Sequence, residues 1–185
     1  MPTMLEREVK LMFPSAEAAR EAVTAIGATP IRGRRLQDDY LLDDGESRLR
    51  QRRCVLRVRL DGGKGVLTFK GPVQASSMKL REELETVVAD GLLLIRMLEE
   101  LGFSVWFRYQ KYREEFAIDD VIIAVDETPV GTFVEIEGGD RGIAEAAEAL
   151  GRGPGDYLLD SYRTLYLQHC EASGLPPTEM LFDED

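Results

Sequence analysis

Polar and apolar residues alternate along most of this chain, and segments with helical spacing separate the alternating stretches. In the first stretch, LEREVKL at residues 5–11, a β-strand places Glu6, Glu8 and Lys10 on one face and the apolar side chains on the other. A solvated outer face explains such a charged row on a single strand, because charged residues mostly lie in water. The other strands have to show which way this face points.

The same alternation predicts seven more strands. They lie at residues 36–42, 54–60, 66–72, 79–88, 105–116, 121–126 and 132–139, with a Thr-Pro turn between the last two. Helical spacing predicts helices at 15–27, 90–102, 140–151 and from 161 onward, with Ser15 and Asp90 as N-caps and Gly27 and Gly102 as stops. Strands joined by short turns and interrupted by helices are typical of α+β domains with an antiparallel sheet.

The composition is that of one globular domain. The chain has 185 residues, 44% hydrophobic and 31% charged, which suits a single domain with a sizeable core. We place the domain at residues 1–175 and predict a flexible acidic tail at residues 176–185. No apolar run has the length of a membrane span and the first residues lack a secretory signal, so the expected location is the cytoplasm.

The scarcity of histidine and cysteine narrows the chemistry. With one histidine and two cysteines, a multi-histidine zinc site and a thiolate metal cluster are excluded. A Ser-His-Asp hydrolase would have to be built around His169, which lies in a segment that reads as the end of a helix. Any metal has to be held by carboxylates, which points to magnesium, manganese or calcium.

The net charge of −11 argues against a general nucleic-acid binder. The segment at residues 48–60, RLRQRRCVLRVRL, is the exception, because it holds six arginines. These arginines can form an RNA-binding patch, bind a small polyphosphate or balance acids elsewhere. The segment has no interleaved aromatic residues for base stacking, which weakens the RNA interpretation.

The predicted strands carry most of the remaining charges in rows. The acids are Glu6, Glu8, Glu83, Glu85, Asp126, Glu135 and Glu137, and the bases are Lys10, Arg57, Arg59, Lys70, Arg81, Lys111 and Arg113. An open sheet with one solvated face produces the same alternation. An enclosed site is favoured because apolar helix stripes can cover the outer face of a closed sheet, and because acids and bases segregate by strand. A polyphosphate chelated to a metal ion satisfies both kinds of row.

Several motifs on these strands resemble the CYTH superfamily, the triphosphate tunnel metalloenzymes that include class IV adenylate cyclases and thiamine triphosphatases. The pentapeptide EREVK has the family's Glu-x-Glu-x-Lys form, and QDDY, LRVR, TFKGP, REELE, KYR, VDETPVGTFVEIEG and SYRTL follow in the family's order. The resemblance covers residues 5–165. It is specific for the superfamily and does not choose among its members.

The resemblance implies an eight-stranded antiparallel β tunnel, a closed barrel open at both ends, with a charged interior and helices packed outside. It implies Mg²⁺ or Mn²⁺ as cofactor, with the metal ligands Glu6, Glu8, Glu135 and Glu137 and further candidates in Glu85 and Asp126. The implied phosphate-binding residues are Lys10, Arg57, Arg59, Lys70, Arg81, Lys111 and Arg113. For the general base we expect Lys10 with a lowered pKa, and Tyr40 is the other candidate.

The expected function is a metal-dependent phosphohydrolase acting on tripolyphosphate, thiamine triphosphate or a nucleoside triphosphate. Hydrolysis is the less demanding reaction, because it requires no recognition of adenine or ribose. The alternatives are a class IV adenylate cyclase that forms cyclic AMP and pyrophosphate, and a non-catalytic polyphosphate- or RNA-binding module. The expected partner is a small-molecule triphosphate, with no membrane and no favoured nucleic acid, and a homodimer stays open.

Overall fold

The computed structural model describes residues 4–183, so the two ends of the predicted domain and tail, residues 1–3 and 184–185, lie outside the described residues. The eight strands are β1 Met4–Phe13, β2 Thr29–Asp44, β3 Val55–Asp61, β4 Lys64–Lys70, β5 Lys79–Val88, β6 Phe103–Ile118, β7 Val121–Thr128 and β8 Gly131–Glu137. The helices are α1 Ala16–Ala25, α2 Arg48–Gln51, α3 Gly91–Glu100, α4 Asp140–Ala149 and α5 Tyr162–Ser173, with a short 3-10 turn at Pro154–Asp156.

The strands close into one antiparallel barrel in the order β1-β5-β4-β3-β2-β6-β7-β8. This confirms the predicted α+β fold with an eight-stranded barrel and helices outside. The strand predicted at 36–42 is too short, because β2 runs from Thr29 to Asp44 and pairs with β6 over most of that length. Residues 29–35 lack apolar alternation, so the pairing with β6, and not a local pattern, makes them a strand.

Helices α1 and α3 begin at the N-cap residues predicted from the sequence. The Ser15 hydroxyl accepts a hydrogen bond from the Ala18 N–H at 3.2 Å, and the Asp90 carboxylate accepts one from the Leu93 N–H at 2.9 Å. Among the residues described, no helix has the length and apolar character needed to cross a membrane.

Two apolar layers cover the outside of the barrel wall. The outward side chains of β1, β7 and β8, such as Val9, Ile123 and Ile136, pack with α1 and α4. On the other side, α3 packs Ile95 against Val58. Because side chains alternate along a strand, these layers turn the charged rows inward.

The fifth helix lies across one end of the barrel interior. Inward-facing Leu41, Phe107 and Phe133 form an apolar cluster with Tyr162 and Tyr166 of α5. This corrects the expectation of a tunnel open at both ends. The interior positions at this end are apolar and require cover, which α5 supplies.

The chain after α5 returns to the barrel wall. Met180 is almost fully buried, and its backbone bonds to β6 through the carbonyl of Arg108 and the N–H of Gln110. Phe182 packs on Tyr112 with ring centroids 5.0 Å apart. The expected flexible tail from residue 176 therefore needs correction as far as Phe182, because apolar residues in an acidic segment anchor it.

Candidate active site

The charged rows line a cavity of about 340 Å³ in the other half of the barrel. Its lining includes the predicted residues Glu6, Glu8, Lys10, Arg57, Arg59, Lys70, Arg81, Glu83, Glu85, Lys111, Arg113, Glu135 and Glu137. The side chain of Asp126 lies behind this surface and is fully buried. The structure thus brings together all the predicted site residues except Tyr40.

The seam between β1 and β8 joins carboxylates to Lys10. In the register of the two strands, Glu8 lies opposite Glu137 and Lys10 opposite Glu135. Lys10 Nζ lies 2.9 Å from Glu135 and 3.6 Å from Glu8. Burial acts to lower the pKa of Lys10, but the two carboxylates outweigh it and raise the pKa above its usual value. The prediction that Lys10 is a base with a lowered pKa is therefore wrong in the ligand-free site.

Two cavity lysines have lowered pKa values, Lys79 on β5 and Lys111 on β6, and burial is the largest cause in both. Burial and the neighbouring Arg113 guanidinium lower the pKa of Lys111 to about 8, against the pull of Asp126 at 2.8 Å. Asp126 also accepts hydrogen bonds from Arg113 and, at 2.6 Å, from the Tyr162 hydroxyl. Asp126 is thus a buried anchor for cavity cations and for α5.

Lys70 and Lys79 pair with the glutamates of β1 in the cavity lining. Lys70 Nζ lies 2.5 Å from Glu6 and 2.9 Å from Glu83, so this ammonium group bridges the two carboxylates. Lys79 Nζ lies 2.5 Å from Glu8. Burial acts to raise the pKa of Glu8, but lysine neighbours reverse this and hold it well below its usual value.

Glu137 differs from these glutamates because it forms no ion pair within residues 4–183. It is exposed to the cavity, and its partial burial, together with the nearby carboxylates of Glu6, Glu8 and Glu83, raises its pKa to about 7. The strand register therefore concentrates negative charge here without a matching cation.

The wall formed by β2 and β3 holds the two guanidinium groups of the LRVR motif. Arg59 Nε donates to Asp39 at 2.9 Å, and Arg57 Nε lies 3.4 Å from the same carboxylate. The Arg57 guanidinium also donates to the Thr68 hydroxyl at 3.2 Å. The fully buried Asp39 thus positions both arginines toward the cavity.

Sequence reasoning missed Lys79 and Asp39 and misplaced Tyr40. Lys79 continues the inward row of Arg81 two residues earlier, so the alternation that found that row also contains it. On β2, the pairing of Asp39 with Arg59 puts Asp39 inside and its neighbour Tyr40 outside. Tyr40 packs with the α3 layer, and its hydroxyl donates to Asp38 at 3.3 Å, which corrects its assignment as a base.

The donor set suits a hard divalent cation, because it consists of carboxylates. Within the part of the chain that the structure describes, no three histidine, cysteine, aspartate or glutamate side chains already stand in a metal-binding group. Ammonium groups of Lys10, Lys70 and Lys79 lie against these carboxylates instead. The residues fit Mg²⁺ or Mn²⁺ by donor type and by the unpaired Glu137, and binding requires that ammonium contacts give way.

The comparison with known families agrees with this geometry. The CYTH domain model matches residues 4–162, so the chain belongs to the CYTH domain family. This confirms the resemblance stated from the sequence.

Three relatives are informative. A Methanocaldococcus jannaschii protein, provisionally named an adenylate cyclase, is 27% identical over 135 residues, which covers 72% of this chain and 77% of that protein. A Vibrio parahaemolyticus structure, also provisionally named an adenylate cyclase, has a TM-score of 0.76 at 20% identity and covers 89% of this chain and 98% of its own. A Hippeastrum protein, provisionally named an adenylyl cyclase and described as having a dominant triphosphatase activity, has a TM-score of 0.65 at 19% identity, with coverage of 94% and 97%. At these identities, the two structures support the fold.

Proposed function

We propose that this protein is a metal-dependent triphosphatase that hydrolyses a triphosphate bound in the charged cavity. The observation that carries the proposal is the arrangement of the interior. A cavity of about 340 Å³ has four carboxylates on the adjacent strands β1 and β8, and guanidinium and ammonium groups of β1, β3, β4, β5 and β6 line it together with further carboxylates of β3, β5 and β6. A polyphosphate with a divalent cation supplies both counter-charges.

The binding roles follow from position in the cavity. Glu6, Glu8, Glu135 and Glu137 would hold the divalent cation, which supplies charge stabilisation at the phosphoryl oxygens. Glu85, which is half-exposed at the wall, and the buried Asp126 are the further carboxylates from the sequence. The phosphate oxygens bind to Lys10, Arg57, Arg59, Lys70, Arg81 and Arg113, each of which pairs with a carboxylate in the ligand-free state. Lys111, the seventh cation predicted from the sequence, is assigned to the attacking water instead.

Those ion pairs give the site its selectivity for a highly charged ligand. A ligand has to replace ion pairs such as Lys70–Glu6 and Arg113–Glu135. A neutral or singly charged molecule forms too few contacts with the freed charges to offset the free-energy cost of breaking these pairs. In the transition state of phosphoryl transfer, charge spreads over the phosphoryl oxygens, where fixed cations stabilise it.

We assign the proton transfer to Lys111. Its pKa of about 8 makes the neutral amine accessible near neutral pH, whereas Lys10 stays protonated. Lys111 Nζ accepts the proton of the attacking water, and Lys10 keeps its positive charge for the phosphate.

Hydrolysis is the first choice because the cavity is lined mainly by charged side chains, and hydrolysis needs only the triphosphate and water. The triphosphatase activity described for the Hippeastrum relative supports it. Adenylate cyclase is the second candidate, favoured by the names of the Methanocaldococcus and Vibrio relatives.

A product assay tests the proposal. Purified protein is given tripolyphosphate, thiamine triphosphate or ATP, with Mg²⁺ and then Mn²⁺, and orthophosphate, pyrophosphate and cyclic AMP are resolved. We expect orthophosphate without cyclic AMP, and no product in chelator. Cyclic AMP with an equal amount of pyrophosphate would establish the cyclase, and tight ligand binding without any product would establish a binding module.

A further inference from the structure

The arginine-rich segment at residues 48–60 divides between two places. Arg57 and Arg59 point into the cavity, while the other four arginines lie on α2 and the turn after it, outside the cavity lining. Of these four, Arg48 pairs with Asp44 and Glu46, which leaves Arg50, Arg52 and Arg53. The triphosphate site therefore uses only part of this segment. The arginines on α2 and the turn after it are not among the residues that line that site.

The structure holds α2 firmly in place. The carboxylate of Asp43, almost fully buried, accepts hydrogen bonds from the backbone N–H groups of Leu49 and Arg50 and from Arg50 Nε, each at 3.0 Å. The residues flanking α2, Ser47 and Arg53, both have φ of 58°, a left-handed conformation that non-glycine residues seldom adopt. Such strain persists only where surrounding contacts enforce it.

A bulge in β6 directs the sole tryptophan toward this segment. Leu41 pairs with Phe107 and Leu42 with Val105, which leaves Trp106 as the extra residue between them. The guanidinium carbons of Arg50 and Arg163 lie 4.5 and 4.9 Å from the centre of its indole ring. Helix α5 thus contributes Arg163 to the same surface.

The charges on this surface are not balanced. Arg163 forms no ion pair within residues 4–183, and burial and the Arg50 guanidinium lower its pKa. Arg52 and Arg53 are exposed and likewise form no ion pair in that range. Of the four arginines Arg50, Arg52, Arg53 and Arg163, Arg50 is the one that forms an ion pair with Asp43 within residues 4–183. Arg163 lies with Arg50 on the Trp106 ring, and the exposed Arg52 and Arg53 follow in the turn after α2. This excess of positive charge, in a chain of net charge −11, indicates an anion site.

We propose that Arg52, Arg53 and Arg163, supported by the Arg50–Trp106 contact, form a second anion site for an inorganic polyphosphate, outside the catalytic cavity. Neighbouring phosphoryl groups offer the planar oxygen pairs that guanidinium forks bind. The indole already contacts two guanidinium groups, so recognition rests on phosphate and not on a stacked base. This site is independent of the proposed hydrolysis.

Trp106 reports on this site directly, because it is the only tryptophan. Tripolyphosphate is titrated into the full chain in chelator at fixed ionic strength, and tryptophan fluorescence is followed. We expect a saturable change in the wild type and in the cavity variant Lys111→Gln. Arg163→Gln should weaken the apparent affinity about tenfold, the size of one lost charge-assisted contact.

A second variant and a control variant keep the test decisive. The double variant Arg52→Gln/Arg53→Gln, which leaves α5 intact, should weaken binding as well, whereas Arg141→Gln on the exposed face of α4 should not. No saturable change in the wild type, or unchanged affinity in both arginine variants, would overturn the proposal. So would loss of the signal in Lys111→Gln, or tighter binding of an RNA oligomer at equal phosphate concentration.

Discussion

The two halves of the barrel interior are filled in opposite ways by the same strands. On β8, Phe133 and Glu137 both point inward, four residues apart. Phe133 is almost fully buried in the apolar cluster under α5, with its ring centroid 5.5 Å from that of Tyr162. Glu137 faces the cavity without a cationic partner within residues 4–183, and its pKa is raised to about 7.

This difference separates stability from function along one strand. The apolar half packs like an ordinary core and contributes to folding. The charged half holds buried ion pairs, which contribute little net stability because desolvation opposes their attraction. Charges are retained there, we infer, because the ligand needs them.

The largest expected effect on stability is that of Phe133→Ala. Truncating this ring leaves a cavity against Tyr162 and should lower the free energy of unfolding by about 3–5 kcal/mol. Denaturant unfolding measures it, with Phe69→Ala, at a half-buried outer position, as the control with a smaller loss. A loss below about 1 kcal/mol would show that α5 does not pack on this residue.

Glu137→Gln should lower the turnover and raise the free energy of unfolding, whereas Phe133→Ala mainly lowers the free energy of unfolding. Removing a proposed metal ligand should lower the turnover of tripolyphosphate about 10²–10³-fold, the usual cost of one electrostatic group. The free energy of unfolding in chelator at about pH 8 should rise, because the variant removes repulsion from Glu6, Glu8 and Glu83. Glu145→Gln, an exposed position on α4, should change neither quantity. Full turnover in Glu137→Gln would remove this residue from the site.

The stability difference between Glu137→Gln and the wild type should depend on pH. The folded-state pKa of Glu137, about 7, lies above its ordinary value of 4.5, so the folded wild type loses stability as pH rises from about 4.5 to 7. The advantage of the variant should therefore be small near pH 5 and largest near pH 8. Thermal unfolding in chelator across this range measures it, and an advantage that shrinks with rising pH contradicts the raised pKa.

Tyr40→Phe should have the smallest effect. Tyr40 lies on the outer face, and its hydroxyl makes one hydrogen bond of 3.3 Å to Asp38. Turnover should stay within about twofold of wild type, and stability within about 1 kcal/mol. A much larger fall in turnover would restore Tyr40 as a participant.

The sequence predicted which charges share a face, because a period of two depends only on local backbone geometry. It did not show by itself whether Glu6, Glu8 and Lys10 face water or an interior, since closure depends on pairing between distant strands. The family motifs supplied that step. In QDDY, the register of β2 against β3 decides that Asp39 and not Tyr40 points inward.

Two further features depend on tertiary contacts. The cover over Leu41, Phe107 and Phe133 comes from α5, which is distant in sequence. The contrast between Lys10 and Lys111 arises because Lys10 lies between two carboxylates, whereas Lys111 lies beside Arg113. Glu8 and Arg113 follow from the local alternation, two residues from Lys10 and Lys111, whereas strand pairing alone brings Glu135 to Lys10 and Asp126 to Lys111.

The proposed binding geometry can be seen directly in a crystal structure with Mn²⁺ and tripolyphosphate, analysed by anomalous scattering. We expect a manganese peak among Glu6, Glu8, Glu135 and Glu137, with the triphosphate against Arg57, Arg59, Lys70 and Arg113 in the cavity. Manganese bound elsewhere, or a triphosphate found only outside the barrel, would contradict this geometry.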